Sequence, residues 1–254
     1  MMGPNEHLLE VVDVSKHFGG LIAVDNVSYR VGKNEIRGII GPNGAGKTTF
    51  FNVITGDLHP SSGKIFLKGK DVTGFPPHKI CRRGMSRTFQ LTLVFPGMSV
   101  YECIWVGLYS RKIEPWNLFF SRIDRKGERA EKTEEICRLV GLEDKIDESA
   151  SNLSYGDQKV LEIAMALSTD PMLLLLDEPT QGVGPKEADD IVELIGRLSE
   201  RMSIVLIEHN IDIIMRLCHT LTVFSFGKVI AEGSCKEITL NKEVQRIYLG
   251  EEVL

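Results

Sequence analysis

The sequence predicts an α/β fold: a parallel sheet flanked by helices, further strands ahead of it, and a helical insertion within it. Three observations predict this. A glycine-rich turn, Gly41 to Thr49, lies between the short apolar strand Glu35–Ile40 and an amphipathic stretch stopped by Gly56. Leu173-Leu174-Leu175-Leu176-Asp177 is a continuous apolar run bounded by Pro171 and Pro179, as expected of a strand buried on both faces. Between these two markers the texture changes to helical spacing over residues 91–158.

Taken in order, Leu8–Val14 and Leu21–Val31 carry strand patterns, with Phe18 in the loop between them. After the glycine-rich turn, Thr49–Thr55 is helical, and Gly63–Gly69 forms another strand led in by Pro60-Ser61-Ser62. Ser99 and Glu102 have capping-box spacing, and Val100, Cys103, Ile104, Gly107 and Leu108 then recur at helical intervals. The charged run 122–130 leads into a helix over Glu131–Val140, closed by Gly141. Gly156–Ser168 is helical and ends at Asp170-Pro171. Beyond the leucine run come a helix over Lys186–Glu200, a strand over Ser203–Ile207, and a helix over Ile211–Cys218. Thr220–Phe224 and Lys228–Ala231 form a hairpin, and the tail after Gly233 is helical. The resulting division is a single unit in which residues 8–90 and 159–254 form the core and 91–158 the helical insertion.

Composition bounds the function. The chain has 254 residues, 43% of them hydrophobic and 26% charged, so it can bury a substantial core. A net charge of −5 lacks the basic footprint of a nucleic-acid binder. No apolar run approaches the roughly 18 residues of a membrane span. The N-terminus has no basic start followed by an apolar core, which argues against a secretory signal. Five widely spaced cysteines (Cys81, Cys103, Cys137, Cys218 and Cys235) suit reduced thiols better than disulfides or a zinc site.

The turn Gly41-Pro42-Asn43-Gly44-Ala45-Gly46-Lys47-Thr48-Thr49 satisfies G-x-x-x-x-G-K-[ST], in the strand-turn-helix setting that a phosphate-binding loop needs. Its glycines let several N–H groups converge on one anion, and the helix N-terminus adds a favourable dipole. Lys47 then reaches the β- and γ-phosphates and the Thr48 hydroxyl ligates Mg²⁺. At the end of the leucine run Asp177 is placed to hold Mg²⁺ through its water shell. Glu178 follows it and is placed to polarise the water that attacks phosphorus.

With these residues goes a set of shorter motifs in one order: Phe18, Gln90, Asn152-Leu153-Ser154-Tyr155-Gly156-Asp157-Gln158, Thr180-Gln181-Gly182-Val183-Gly184 and Glu208-His209. The combination resembles the ATP-binding cassette family over nearly the whole chain. The resemblance implies a P-loop NTPase with a RecA-like core, an antiparallel β subdomain and a helical subdomain insertion, using ATP and Mg²⁺. It makes Phe18 the adenine-stacking aromatic and Gln90 a ligand to Mg²⁺ or the attacking water. His209 becomes the switch histidine. Ser154 and Gly156 belong to a signature that meets the γ-phosphate of a nucleotide held by a second copy. Ser154 also suits an N-cap with Asp157 reaching back, and Phe18 also suits packing on a strand. Asp157 stands where the signature usually has Gln, Tyr155 replaces its first glycine, and Gly184 stands where Asp is common.

With no span of its own, such a cassette implies integral-membrane permease subunits, a second cassette, and a position on the cytoplasmic face of the membrane. Phe18-Gly19-Gly20-Leu21-Ile22-Ala23-Val24, Arg87-Thr88-Phe89-Gln90, Ile207-Glu208-His209-Asn210 and Ile247-Tyr248-Leu249-Gly250-Glu251 are similar to importer cassettes for branched-chain amino acids and related solutes. That likeness brings in an external solute-binding protein as an indirect partner. Cassettes of lipopolysaccharide export and soluble non-transport ATPases are the alternatives. The apolar run Leu91, Leu93, Val94, Phe95, Pro96 and Met98 is the candidate docking surface for a permease helix, or else fills the core of the insertion. Pro115–Phe120 is a second apolar patch with no assigned role.

Overall fold

The computed structural model describes residues 7–88, 95, 97–110 and 123–249. Gln90, most of the apolar run that follows it, and Pro115–Phe120 lie outside the described residues.

The chain opens with β1 (Leu9–Phe18) and β2 (Leu21–Val31), an antiparallel pair. β3 (Ile36–Ile40) leads through the glycine-rich turn into α1 (Lys47–Ile54). β4 (Ser62–Leu67) and the short β5 (Lys70–Asp71) join β1 and β2 in a four-stranded sheet of order β2-β1-β4-β5. α2 (Pro77–Cys81) and β6 (Met85–Arg87) follow.

Among the described residues the α-helices that follow are α3 (Val100–Ser110), α4 (Glu128–Val140) and α5 (Tyr155–Ser168). β7 (Leu173–Asp177), α6 (Pro185–Ser199), β8 (Ser203–Ile207) and α7 (Ile211–Leu217) return the chain to the core. β9 (Thr220–Ser225), β10 (Lys228–Ser234), α8 (Cys235–Leu240) and α9 (Lys242–Leu249) complete it. The second sheet has six strands in the order β10-β9-β3-β8-β7-β6, parallel except for the edge strand β10.

The leucine run is central to that sheet. All five residues of β7 and all five of β8 are buried, and their side chains divide by parity between two cores. Leu174, Leu176, Ile204 and Leu206 pack with α3, α5 and α6, while Leu173, Leu175, Val205 and Ile207 face α1 and the antiparallel sheet. α1 is held in that second core by Phe50, which meets the Tyr29 ring edge-on at 5.4 Å and lies 5.2 Å from that of Phe224. Aromatic packing of this kind adds to the area that the helix buries. The phosphate-loop end of α1 is thereby fixed against both sheets.

Several boundaries differ from the sequence reading. β1 continues past Val14 to Phe18, so Phe18 ends a strand, paired with Leu21, instead of lying in a loop. Register shifts near Val11, Val14 and Lys16, with Asp13 at φ 49°, break the period-two pattern and hide the continuation. α4 begins at Glu128, three residues before the expected start, and β10 runs on to Ser234. Ser99 and Glu102 do form a capping box at the start of α3, with N–H donations of 2.9 and 3.2 Å. No helix among the described residues is long and apolar enough to cross a membrane.

Candidate functional site

At the carboxyl end of β3 the chain must turn sharply into α1, and only glycine fits where it does. A Cβ at Gly41 would lie 2.2 Å from the carbonyl oxygen of Phe224, and one at Gly46 would lie 2.3 Å from that of Ala23. Gly46 also caps α1 at φ 99°, in the left-handed region. Lys47 folds back over this turn, its Nζ donating to the carbonyls of Gly41 (2.7 Å) and Pro42 (3.1 Å). Burial lowers its pKa from the ordinary lysine value, while the carboxylates of Glu178 and Asp177 pull it upward.

β7 runs parallel to β8 and β6 and delivers Asp177 and Glu178 beside this turn. Asp177 is fully buried, and its Oδ2 accepts from Arg87 Nη2 at 2.8 Å. Its Oδ1 has no hydrogen-bond partner among the described residues. Burial raises the Asp177 pKa and Arg87 opposes that rise. Glu178 is also buried and sits at φ 52°, a conformation uncommon outside glycine, with its N–H donating to Ile207 O at 2.9 Å. His209 Nε2 lies 2.8 Å from Glu178 Oε1.

A cleft of about 410 Å³ joins these groups: Asn43, Gly44, Lys47, Thr48, Glu178 and His209 line it. Leu21, Ile22 and Phe226, the last 91% exposed, add an apolar part to its lining. Phe18 stands just outside this lining, half-exposed, with the Lys16 ammonium 5.1 Å from its ring centroid. Loop N–H groups, a cation, a helix N-terminus and a carboxylate-histidine pair in one cleft can hold a polyphosphate and orient a water against it.

Ser154 and Gly156 are not brought into that cleft within the chain. Ser154 caps α5, with its Oγ accepting from Asp157 N–H at 3.1 Å. The same hydroxyl lies within donating distance of Asp157 Oδ2 (2.8 Å) and Glu187 Oε1 (3.3 Å). Asp157 is paired with Lys145, which raises the Lys145 pKa through that hydrogen bond. Gly156 packs on Glu187, whose Cδ would meet an added Cβ at 2.6 Å. Gln90 lies outside the described residues.

Sequence reasoning leaves the roles of two groups here unassigned. In the sequence Arg87 stands out only as part of a motif, yet it bonds Asp177 ninety positions away. Glu208 is buried and binds both Thr180 and His209 N–H. Glu208 is a charged residue directly after the apolar strand β8, a signal that could have marked it, whereas Arg87 ends the three-residue β6 and carries no such mark. A second cavity, about 600 Å³, lies between α2 and β6 on one side and α5 on the other, with Cys81, Met85, Phe95 and Met165 on its walls.

Fold and cleft together define a nucleotide-hydrolysing α/β protein of the phosphate-loop class. A family model described as "ABC transporter" matches residues 24–181, and the chain belongs to that family as one of its ATPase cassettes. It is 39% identical over 255 residues to the high-affinity branched-chain amino acid transport ATP-binding protein LivG of Salmonella typhimurium, covering 97% of this chain and 99% of that one. It is 38% identical to the corresponding protein BraF of Pseudomonas aeruginosa, over 96% and 98% of the two chains. Among solved structures it is similar to MJ1267, an ATP-binding cassette of an ABC transporter in its ADP conformation, with a TM-score of 0.85 and 35% identity, covering 96% and 99%. It is also similar to the dimeric post-hydrolysis cassette MJ0796 bound to ADP and Pi, with a TM-score of 0.75 and 25% identity, covering 89% and 98%.

Proposed function

We propose that this chain is the subunit that hydrolyses ATP for an importer of branched-chain amino acids or related small polar solutes, working through separate permease subunits at the cytoplasmic face of the membrane. The observation that carries the chemistry is the Glu178–His209 pair at 2.8 Å, facing Lys47 across one cleft. The near full-length likeness to importer subunits carries the solute class.

In this reading the loop N–H groups from Gly41 to Thr49 and the Lys47 ammonium hold the β- and γ-phosphates. Glu178 orients and polarises the attacking water, and His209 fixes the Glu178 carboxylate while donating toward the γ-phosphate. Asp177 and Thr48, with Gln90, are the residues that would hold Mg²⁺, and the unpartnered Asp177 Oδ1 fits that role. Bound there, the ion would neutralise phosphate charge. Phe18 stacks on the base from the rim of the cleft, beside Leu21 and Ile22.

Because Ser154 and Gly156 are not among the residues that line this cleft, their phosphate role requires a second copy placed head-to-tail, and the dimeric relative supports such an assembly. The 600 Å³ groove beside Phe95 is the place where a helix of the permease would dock. The core of residues 8–90 and 159–254 then moves against the helical insertion 91–158 as the dimer closes and opens. An external solute-binding protein supplies the cargo on the other side of the membrane.

The test is reconstitution with the permease subunits in vesicles. ATP-dependent leucine uptake that disappears with Glu178→Gln is the expected result. Robust ATP hydrolysis with no uptake of any branched-chain or related amino acid would overturn the solute class.

A further inference from the structure

The Asp177 carboxylate is divided between two tasks. One oxygen accepts from Arg87 Nη2 at 2.8 Å; the other is buried with no partner among the described residues. A buried carboxylate oxygen needs a donor or a cation, so this one marks the side from which a ligand is expected.

Arg87 is held as firmly as the group it holds. Its side chain is 6% exposed. Nη1 donates to Asn52 Oδ1 and lies 3.6 Å from Asp57 Oδ2, while the guanidinium sits 5.6 Å from the Phe51 ring centroid. Asp57 is itself fixed by the Thr55 hydroxyl at 2.7 Å. Phe51 and Asn52 belong to α1, the helix that starts at Lys47 and Thr48. One planar fork therefore braces the helix that begins with Thr48 against the strand that ends with Asp177. A lysine cannot make that brace, because its ammonium is a point donor where two divergent acceptors must be met in a fixed plane.

We propose that Arg87 is the positioning residue of the magnesium site: it occupies one oxygen of Asp177, turns the other toward the cation, and sets its distance from Thr48. This rests on the reading of Asp177 as the magnesium-side carboxylate. Simple neutralisation of a buried acid is the competing account, and it predicts that any cation at position 87 suffices.

The experiment compares the affinity of a fluorescent ATP analogue in excess Mg²⁺ with its affinity in EDTA, for the wild-type chain and for Arg87→Met, Arg87→Lys and Asp177→Asn. The ratio of the two affinities reads the metal site separately from the phosphate loop. Both Arg87 variants should lower that ratio about tenfold or more, as loss of an outer-shell partner does, with the EDTA affinity little changed. A wild-type ratio in Arg87→Lys would overturn the proposal in favour of charge neutralisation. If Arg87→Met does not fold, Asn52→Ala removes one prong of the brace, spares the ion pair, and should lower the ratio in the same direction. An unchanged ratio in the Arg87 variants, with a lowered one in Asp177→Asn, would overturn the positioning role alone. An unchanged ratio in Asp177→Asn would instead remove the reading of the site on which it rests.

Discussion

Glu208 Oε1 accepts from both the N–H and the hydroxyl of Thr180, at 2.9 and 2.6 Å. Its Oε2 accepts from the N–H of His209 at 3.1 Å. One buried carboxylate thus ties the turn that follows Glu178 to the turn that carries His209. Both oxygens face donors, so Glu208→Gln turns an amide N–H₂ toward one of them and leaves a buried donor unsatisfied. That substitution should cost about 1–3 kcal/mol of stability in urea denaturation. Hydrolysis should fall along with it, because the Glu178–His209 geometry loses its tie. Full activity with unchanged stability would count against this role.

Glu178 and His209 meet at 2.8 Å and should behave as a unit. Glu178→Gln and His209→Ala are each expected to lower kcat by about 10²–10⁴-fold, the range for losing a general base or its orienter. The double variant should fall little further, because the two losses share one function. With ATP bound and not turned over, Glu178→Gln should sediment as a dimer. A monomer at saturating MgATP would rule out the two-copy sandwich.

The signature end of α5 carries its own electrostatic expectation. Asp157 places a negative charge next to Ser154, where the phosphate of a second copy would approach, and Lys145 offsets it. Lys145→Ala should weaken ATP-driven dimerisation of the Glu178→Gln chain, and adding Asp157→Asn should restore it. The pair is partly solvated, so the effect should shrink as salt is raised. Analytical ultracentrifugation across salt concentrations measures both. A Lys145→Ala chain that dimerises as well as its parent would show that Asp157 does not oppose nucleotide binding across the dimer.

The features legible in the sequence were those written in short-range pattern. The turn at Gly41–Thr49 and the run Leu173–Asp177 each need only neighbouring residues to be recognised: the run is β7 as read, and α1 starts at Lys47, two residues before the expected Thr49. Phe18 was misplaced because bulges in β1 interrupt the alternation that identifies a strand. β5, α2 and β6 are too short to build a periodic signal. Arg87 and Glu208 escaped for a different reason. Their partners are distant in sequence, at Asp177 and Thr180, and only parallel strand pairing brings them together. The near contact of Ser154 with Glu187 depends likewise on how α5 meets α6. Charge after an apolar strand marks Glu208 but does not name its partners.

The groove beside Phe95 can be followed through the cysteines. Cys81 lines it and is partly accessible, whereas Cys103, Cys137 and Cys218 are buried. Burial pushes the Cys137 thiol up to about 11 and also raises those of Cys103 and Cys218. At pH 8 only about one Cys137 in a thousand would be thiolate, the form that reacts. Cys235 is also partly accessible, but burial raises its thiol and it donates to Cys218 O. Maleimide should therefore modify Cys81 first and Cys235 more slowly in the native chain, and reach the three buried thiols only after denaturation, as peptide mass spectrometry would reveal. If a permease helix fills this groove, assembly with the membrane subunits should protect Cys81. Phe95→Asp, which puts a charge on the wall of an apolar groove, should lower vesicle transport well before it lowers the ATPase rate of the isolated chain. Equal labelling of Cys81 in the free chain and in the assembled transporter would place the docking surface elsewhere.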